Sequence, residues 1–207
     1  MRLVFDLGGV VYRWRPEEFL MRLAPARAPT TAAARAFAAD FFQSFDGDWS
    51  EFDRGALDAD ALAARTAARL GLAPDEARAI IGAVPEELQP IDATVALARR
   101  LKAAGHVLHF LSNMPRPYAA VLSGRDALLT LFESGVFSSH VGLIKPEPAL
   151  FAHAARTFGA AENELLLIDD APRNVAAARA RGWQVVLFRD AAACASELAA
   201  LGIAAVP

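Results

Sequence analysis

Four short stretches of this 207-residue chain carry side chains able to move a phosphoryl group: Asp6-Leu7-Gly8-Gly9, Ser112-Asn113, Gly142-Leu143-Ile144-Lys145-Pro146 and Asp169-Asp170. Asp6 is a carboxylate that can act as a nucleophile and form an acyl phosphate. Three carboxylates drawn together repel one another unless a cation and a lysine offset them. Magnesium suits such a set, because it is hard, prefers oxygen, and usually takes one or two carboxylates with substrate phosphate and water. The Ser112 hydroxyl and the Asn113 amide or backbone N–H can hold phosphoryl oxygens, while Lys145 can neutralise phosphate charge and orient the nucleophile. Of 21 basic residues only Lys102 and Lys145 are lysines, so a lysine kept in an arginine-rich chain points to a need for lysine chemistry.

Each stretch alone also has a structural reading. Asp6 can cap a turn, Ser112-Asn113 is a common turn pair, Asp169-Asp170 can cap a helix starting near Pro172, and Lys145 can be a solvated loop residue. Their joint occurrence outweighs these readings. His106, His109 and His153 read as structural, since no partner ligand falls at metal-binding spacing on a shared helix. Phe37, Phe41, Phe42 and Phe45, at helical spacing, read as packing. The charged run from Asp46 to Arg54 reads as a solvated loop and helix start.

The elements that must position these groups follow from the apolar pattern. Compact apolar runs at Arg2 to Asp6, His106 to Leu111, Leu165 to Ile168 and Gln184 to Phe188 read as buried parallel strands. Helical patterns run over Asp92 to Ala104, Pro148 to Phe158, Pro172 to Arg181 and Ala191 to Leu201, with Gly105 and Gly182 just past helix ends. The alternation predicts an α/β fold, a doubly wound parallel sheet. The chemical groups stand at strand ends and so should face one crevice. The interval from Trp14 to Leu88 has helical patterns (Thr31 to Phe42, Asp58 to Leu70, Pro74 to Gly82), several prolines and no convincing strand. It reads as an inserted helical cap, residues 14–88, on a core of residues 1–13 and 89–207.

Composition narrows the function. Hydrophobic residues make up 55% and charged residues 22%, which supplies a core and argues against disorder. The net charge of −3, without a Lys/Arg cluster, argues against a nucleic-acid partner. No apolar run approaches membrane-spanning length, and Asp6 arrives too early for a signal-peptide core, so the expected setting is the cytoplasm with no membrane partner. The lone Cys194 excludes an internal disulfide and a thiolate zinc cluster. A homo-oligomer is left open.

The order Phe-Asp-Leu-Gly-Gly-Val, Leu-Ser-Asn, Lys-Pro-Glu-Pro and Ile-Asp-Asp resembles the haloacid dehalogenase superfamily. Ser138 to Glu147 and Asp169 to Val175 keep its spacing, and the likeness runs over nearly the whole chain. Within the superfamily the chain looks most like the bacterial sugar-1-phosphatases, whose first motif also has glycine two residues after the nucleophile. The resemblance implies a magnesium-dependent phosphatase of small phosphorylated metabolites. In it Asp6 is nucleophile and metal ligand, Asp169 is the second carboxylate ligand, and Gly8 gives a backbone carbonyl to the metal. Asp170 acts in the outer shell or through water. Ser112, Asn113 and Lys145 hold the phosphoryl group, and Asn174 orders the loop after the third predicted strand. Trp14, Phe45, Asp48 and Trp49 are candidates to face substrate from the cap.

Two departures stand out. Gly8 occupies the position where most phosphatases of the superfamily carry an aspartate as general acid and base, a role typically worth ~100- to 10,000-fold. A leaving group that needs little protonation, such as an anomeric sugar or an acyl group, loses least, which favours a sugar 1-phosphate. His140 replaces a frequently acidic residue. The competing readings are a 2-haloacid dehalogenase using Asp6 as nucleophile and a non-catalytic homologue that binds a phosphorylated ligand. A phosphomutase would also want the missing acid, and a receiver domain would carry its acidic pair early in the chain.

Overall fold

The computed structural model describes residues 1–43, 46–125 and 127–205, so Phe45 lies outside the described residues. Five parallel strands form one sheet: β1 (Arg2–Phe5), β2 (Val107–Ser112), β3 (Ser134–Phe137), β4 (Leu165–Asp169) and β5 (Gln184–Leu187). Their order is β3-β2-β1-β4-β5, so the chain winds outward from β1 in both directions. The switch point lies between β1 and β4, where such sheets open a ligand crevice at the carboxyl ends. Phe5 is level with Ile168, and the Asp6 N–H donates to the Ile168 carbonyl at 2.9 Å. One residue further along, Asp6 and Asp169 therefore emerge side by side.

Successive residues of a strand point to opposite faces, and both faces here are covered. Leu3 and Phe5 pack with Leu97 and Leu101 of α6 (Asp92–Ala103) and with Leu198 of α11 (Ala191–Ala200). Val4 packs on the other face with Phe151 of α9 (Pro148–Phe158) and Ala178 of α10 (Pro172–Ala180). Two further core helices are α7 (Arg116–Arg125) and the short α8 (Ser138–Val141).

Between β1 and α6 lie five helices and, among the described residues, no strand of the sheet: α1 (Pro16–Leu23), α2 (Thr31–Phe41), α3 (Gly47–Arg54), α4 (Ala59–Leu70) and α5 (Pro74–Glu87). Thr30 and Asp58 cap α2 and α4 by accepting from Ala33 N–H at 3.2 Å and Ala61 N–H at 2.7 Å. The two connections to the core pair with each other: Arg13 N–H donates to Gln89 O at 2.7 Å and Ile91 N–H to Val11 O at 2.8 Å. None of the described helices is long and apolar enough to cross a membrane.

Three local expectations need correction. The edge strand β3 escapes the apolar pattern because only Val136 and Phe137 of its four residues are buried. The run from Asp46 to Arg54 is no solvated loop: α3 occupies it and buries Trp49, Phe52 and Asp53. The helix that begins at Pro74 continues past Gly82 to Glu87 with Pro85 inside it. Proline has no N–H for the carbonyl four residues back, and the Tyr118 hydroxyl supplies that carbonyl, Ile81 O, with a hydrogen bond at 2.7 Å instead.

Gly135 of β3 lies against the Phe110 ring so closely that an added Cβ would collide with it, and that ring is confined by Phe132 and Phe137. Gly135→Ala should lower stability by ~1–3 kcal/mol. Gly82→Ala, in open space on α5, should raise it by up to ~1 kcal/mol. Urea denaturation of the two variants, with an unchanged slope, checks both signs.

Candidate active site

The crevice at the carboxyl ends of β1 and β4 is built around one buried ammonium. Lys145 Nζ, 1% exposed, stands 2.8 Å from Asp6 Oδ1 and 2.7 Å from Asp169 Oδ2. The loop carrying it is held by Asn113, whose Oδ1 accepts from Lys145 N–H at 2.7 Å and whose Nδ2 donates to Lys145 O at 3.0 Å. The Asn113 amide is thus engaged on the lysine backbone, which fixes the position of Lys145. Ser112 is buried at the end of β2 and does not line the cavity, whereas Asn113 and Lys145 do.

Asp169 is fully buried and held by several donors. Asn174 Nδ2 reaches both of its oxygens, at 3.0 and 3.1 Å, and Ala171 N–H donates to Oδ1 at 2.9 Å. Asn174 therefore does tie down the loop after β4. That aspartate braces the loop rather than capping α10, which has no side-chain cap. On Asp6, Oδ1 also accepts from Leu7 N–H at 2.7 Å. Burial raises the Asp6 carboxyl above its ordinary range and Asp169 and Asp170 add to this, with Lys145 opposing.

One oxygen from each of Asp6, Asp169 and Asp170 lies within 4.8 Å of the others. Gly9 makes this approach possible: its φ of +80° lies where side chains are strained, and a Cβ there would strike the Asp170 carboxylate. The carbonyl oxygen of Asn174 is buried beside the group without a partner. Three carboxylates and an orphaned amide oxygen are hard donors, the set that a magnesium ion fits.

Above the strand ends lies a cavity of about 710 Å³, lined from the core by Asp6, Gly8, Lys145 and Asp170 and from the helical block by Trp14, Phe42, Trp49, Val84 and Leu88. Trp14 and Trp49 thus face it as expected. Asp48 does not, being paired with Arg65 at 2.8 Å. His140 stacks edge-on against Phe137, and His109 stacks on Phe158 with Nδ1 bonded to Ser134 Oγ.

Sequence reasoning missed Asp53. Its residue is 5% exposed, it lines the cavity, and its carboxyl is pushed up to about 8 by burial against the opposing charges of Lys145 and Arg173. The signal was present in Trp49 and Phe52, one turn apart, and in Gly55 ending α3 in the left-handed conformation. Next to it, Arg54 makes a two-pronged pair with Glu147, at 2.5 and 3.0 Å, and donates to Gly142 O at 3.1 Å. The guanidinium holds the Glu147 carboxyl below its usual range.

The haloacid dehalogenase-like hydrolase family model matches residues 2–182. The chain belongs to this family. A sesquiterpene phosphatase of Aspergillus oryzae is 26% identical over 197 residues, 94% of this chain and 93% of its own. A family enzyme of Bacteroides thetaiotaomicron, solved with magnesium and inorganic phosphate, superposes with a TM-score of 0.69 at 19% identity, covering 91% of this chain and 93% of that one. The L-2-haloacid dehalogenase of Xanthobacter autotrophicus, with chloropropionic acid covalently bound, gives 0.68 at 19% identity, covering 98% and 84%. The fold of this haloacid dehalogenase-like hydrolase is thus shared by enzymes of different chemistry, and the site must decide between them.

The unfolded chain releases the Asp53 proton near 3.8 and the folded chain keeps it to about 8. Folding stability therefore falls as pH rises through that window. Asp53→Asn should be the more stable protein, by on the order of 2 kcal/mol at neutral pH. Its melting temperature should exceed the wild type by more at pH 8 than at pH 5. Equal differences at the two pH values would mean that the carboxyl is ionised throughout.

Proposed function

We propose that this hydrolase is a phosphoric monoester hydrolase, a magnesium-dependent phosphatase of small phosphorylated metabolites that works through an aspartyl-phosphate on Asp6. The observation that carries the reading is the convergence of Asp6, Asp169 and Asp170 around the single ammonium of Lys145. One lysine leaves that cluster negative, which repels the carboxylate of a haloacid and calls for a cation; this argues against a dehalogenase. In a phosphatase the cation and the phosphoryl group complete the charge balance.

Asp6, Asp169 and the Gly8 carbonyl hold magnesium in this reading, with Asp170 in its outer shell or reached through water. When bound, the ion neutralises phosphoryl charge and lowers the cost of bringing the dianion to Asp6. Lys145 already touches Asp6 and in this reading faces the phosphoryl oxygens together with backbone N–H groups at the end of β2, while the Ser112 hydroxyl stays buried behind them. Asn113 and Asn174 serve as positioning residues, one for Lys145 and the other for Asp169. The helical block shields the reacting centre from water. A metabolite substrate accords with a cytoplasmic enzyme.

Two substrate classes have support. The Trp14, Phe42, Trp49, Val84 and Leu88 wall suits an organic group that is largely apolar, because sugar hydroxyls buried there would lose their hydrogen bonds. A relative that is a sesquiterpene phosphatase agrees with this. Gly8, which brings no side-chain acid, favours a leaving group of low basicity and hence a sugar 1-phosphate.

Phosphate release should be measured on prenyl monophosphates, sugar 1-phosphates, sugar 6-phosphates and acetyl phosphate, with chloride release from 2-chloropropionate alongside. Turnover should require magnesium, vanish in Asp6→Asn, and be best on the prenyl compounds. Magnesium should raise the melting temperature of the wild type and raise that of Asp169→Asn far less. Chloride release without phosphate release would replace this reading with the dehalogenase, and magnesium binding without turnover would leave a binding protein.

A further inference from the structure

Among the described residues, the buried acidic side chains left without a carboxylate partner come down to one, Asp53. Glu87 is engaged by Arg13 and Arg22 at 2.9 and 2.7 Å, and Asp169 by Lys145, Asn174 and Ala171 N–H. No described residue donates a hydrogen bond to the Asp53 carboxylate, yet its backbone is tightly fixed: Ser138 Oγ donates to Asp53 O at 2.5 Å and accepts from Met114 N–H at 2.8 Å. Gly55 is seated so close to the core that a Cβ would stand 2.8 Å from the Ser139 carbonyl oxygen. Together with the Arg54–Glu147 pair, these contacts hold the end of α3 against the loop that carries Lys145. A carboxyl without a hydrogen-bond donor is thereby held at the cavity that Asp6 also lines.

We propose that Asp53 is the general acid and base of the reaction, acting from the helical block in place of the side chain that Gly8 lacks. This rests on the phosphatase reading. In the first step an Asp6 oxygen forms a bond to phosphorus as the bond from phosphorus to the leaving oxygen breaks, and the Asp53 proton passes to that oxygen. In the second step the Asp53 carboxylate takes a proton from water as the water oxygen bonds to phosphorus. The Asp6–phosphorus bond breaks, inorganic phosphate is released and the Asp53 carboxyl is restored. The charges facing Asp53 are Lys145 and Arg173 from the core, with the neutral Tyr118 phenol from α7 beside them. Burial outweighs the two cations, so the proton is present at neutral pH and is lost as pH rises past about 8. With a proton donor in place, Gly8 no longer restricts the enzyme to leaving groups of low basicity, and the apolar wall is free to decide the substrate.

The test compares wild type and Asp53→Asn, with magnesium, on p-nitrophenyl phosphate and on a primary alkyl phosphate of similar size. The variant should lose ~100-fold or more in kcat on the alkyl ester, whose alkoxide needs a proton, and under ~10-fold on the nitrophenyl ester, whose phenolate leaves without one. The fall of the alkyl rate above about pH 8 should disappear with it. In carbonyl ¹³C spectra, the difference between the two proteins should be a protonated carboxyl at pH 7. Equal losses on both esters, or none on either, overturn the role of Asp53 while leaving the phosphatase intact. So does a carboxylate that titrates near 4. Wild type inert on both esters and indistinguishable from Asp6→Asn would instead remove the phosphatase reading and this role together.

Discussion

Everything at the crevice depends on the contact of one ammonium with two carboxylates. Lys145 carries its charge into a place with almost no water, and it is tolerable there because Asp6 and Asp169 stand within hydrogen-bonding distance on neighbouring strand ends. The parallel register of β1 and β4 sets the spacing of the carboxylates, and the Asn113 clamp sets the height of the lysine. Removing either partner would leave a buried charge uncompensated. The sheet order and the loop after α8 therefore have little freedom to vary.

That triad does not neutralise its surroundings. Asp170 adds a third carboxylate at the mouth, admitted only because Gly9 has no side chain. The site is thus left with a deficit of positive charge next to a chamber with a largely apolar wall. Such a chamber raises the proton affinity of any carboxyl inside it, and Asp53 is the group in that position. The same low-dielectric wall that would hold an apolar substrate also prepares a carboxyl to deliver a proton. Substrate preference and acid catalysis here share one physical cause.

The strand ends were legible in sequence because phosphoryl chemistry places distinctive residues there and because buried parallel strands are uniformly apolar. Asp6, Lys145 and Asp169 meet as expected for that reason. The edge strand β3 was not legible, since Ser134 and Gly135 carry no apolar signal and the packing of Phe110 over Gly135 is a tertiary fact. The clamp of the Asn113 amide on the Lys145 backbone joins residues more than thirty positions apart, which no local pattern reveals. Asp53 was hidden in a run of charges of which only the approach of α3 to α8 decides which member is buried. Local pattern identifies which residues can do chemistry at a strand end, and it says much less about what a neighbouring helical block lowers onto them.

The Arg54–Glu147 pair has a mechanical meaning as well as an electrostatic one. Glu147 belongs to the same turn as Lys145, and its carboxylate also receives Ile144 N–H at 3.2 Å. The helical block therefore grips the very loop that positions the lysine, in addition to the paired neck at residues 11–13 and 89–91 and the bonds from Tyr118 to Ile81 O and from Ser138 to Asp53 O. Swinging the block away from the sheet would act as a lever on that loop. Admission of ligand and alignment of the ammonium would then be a single motion, not two independent ones.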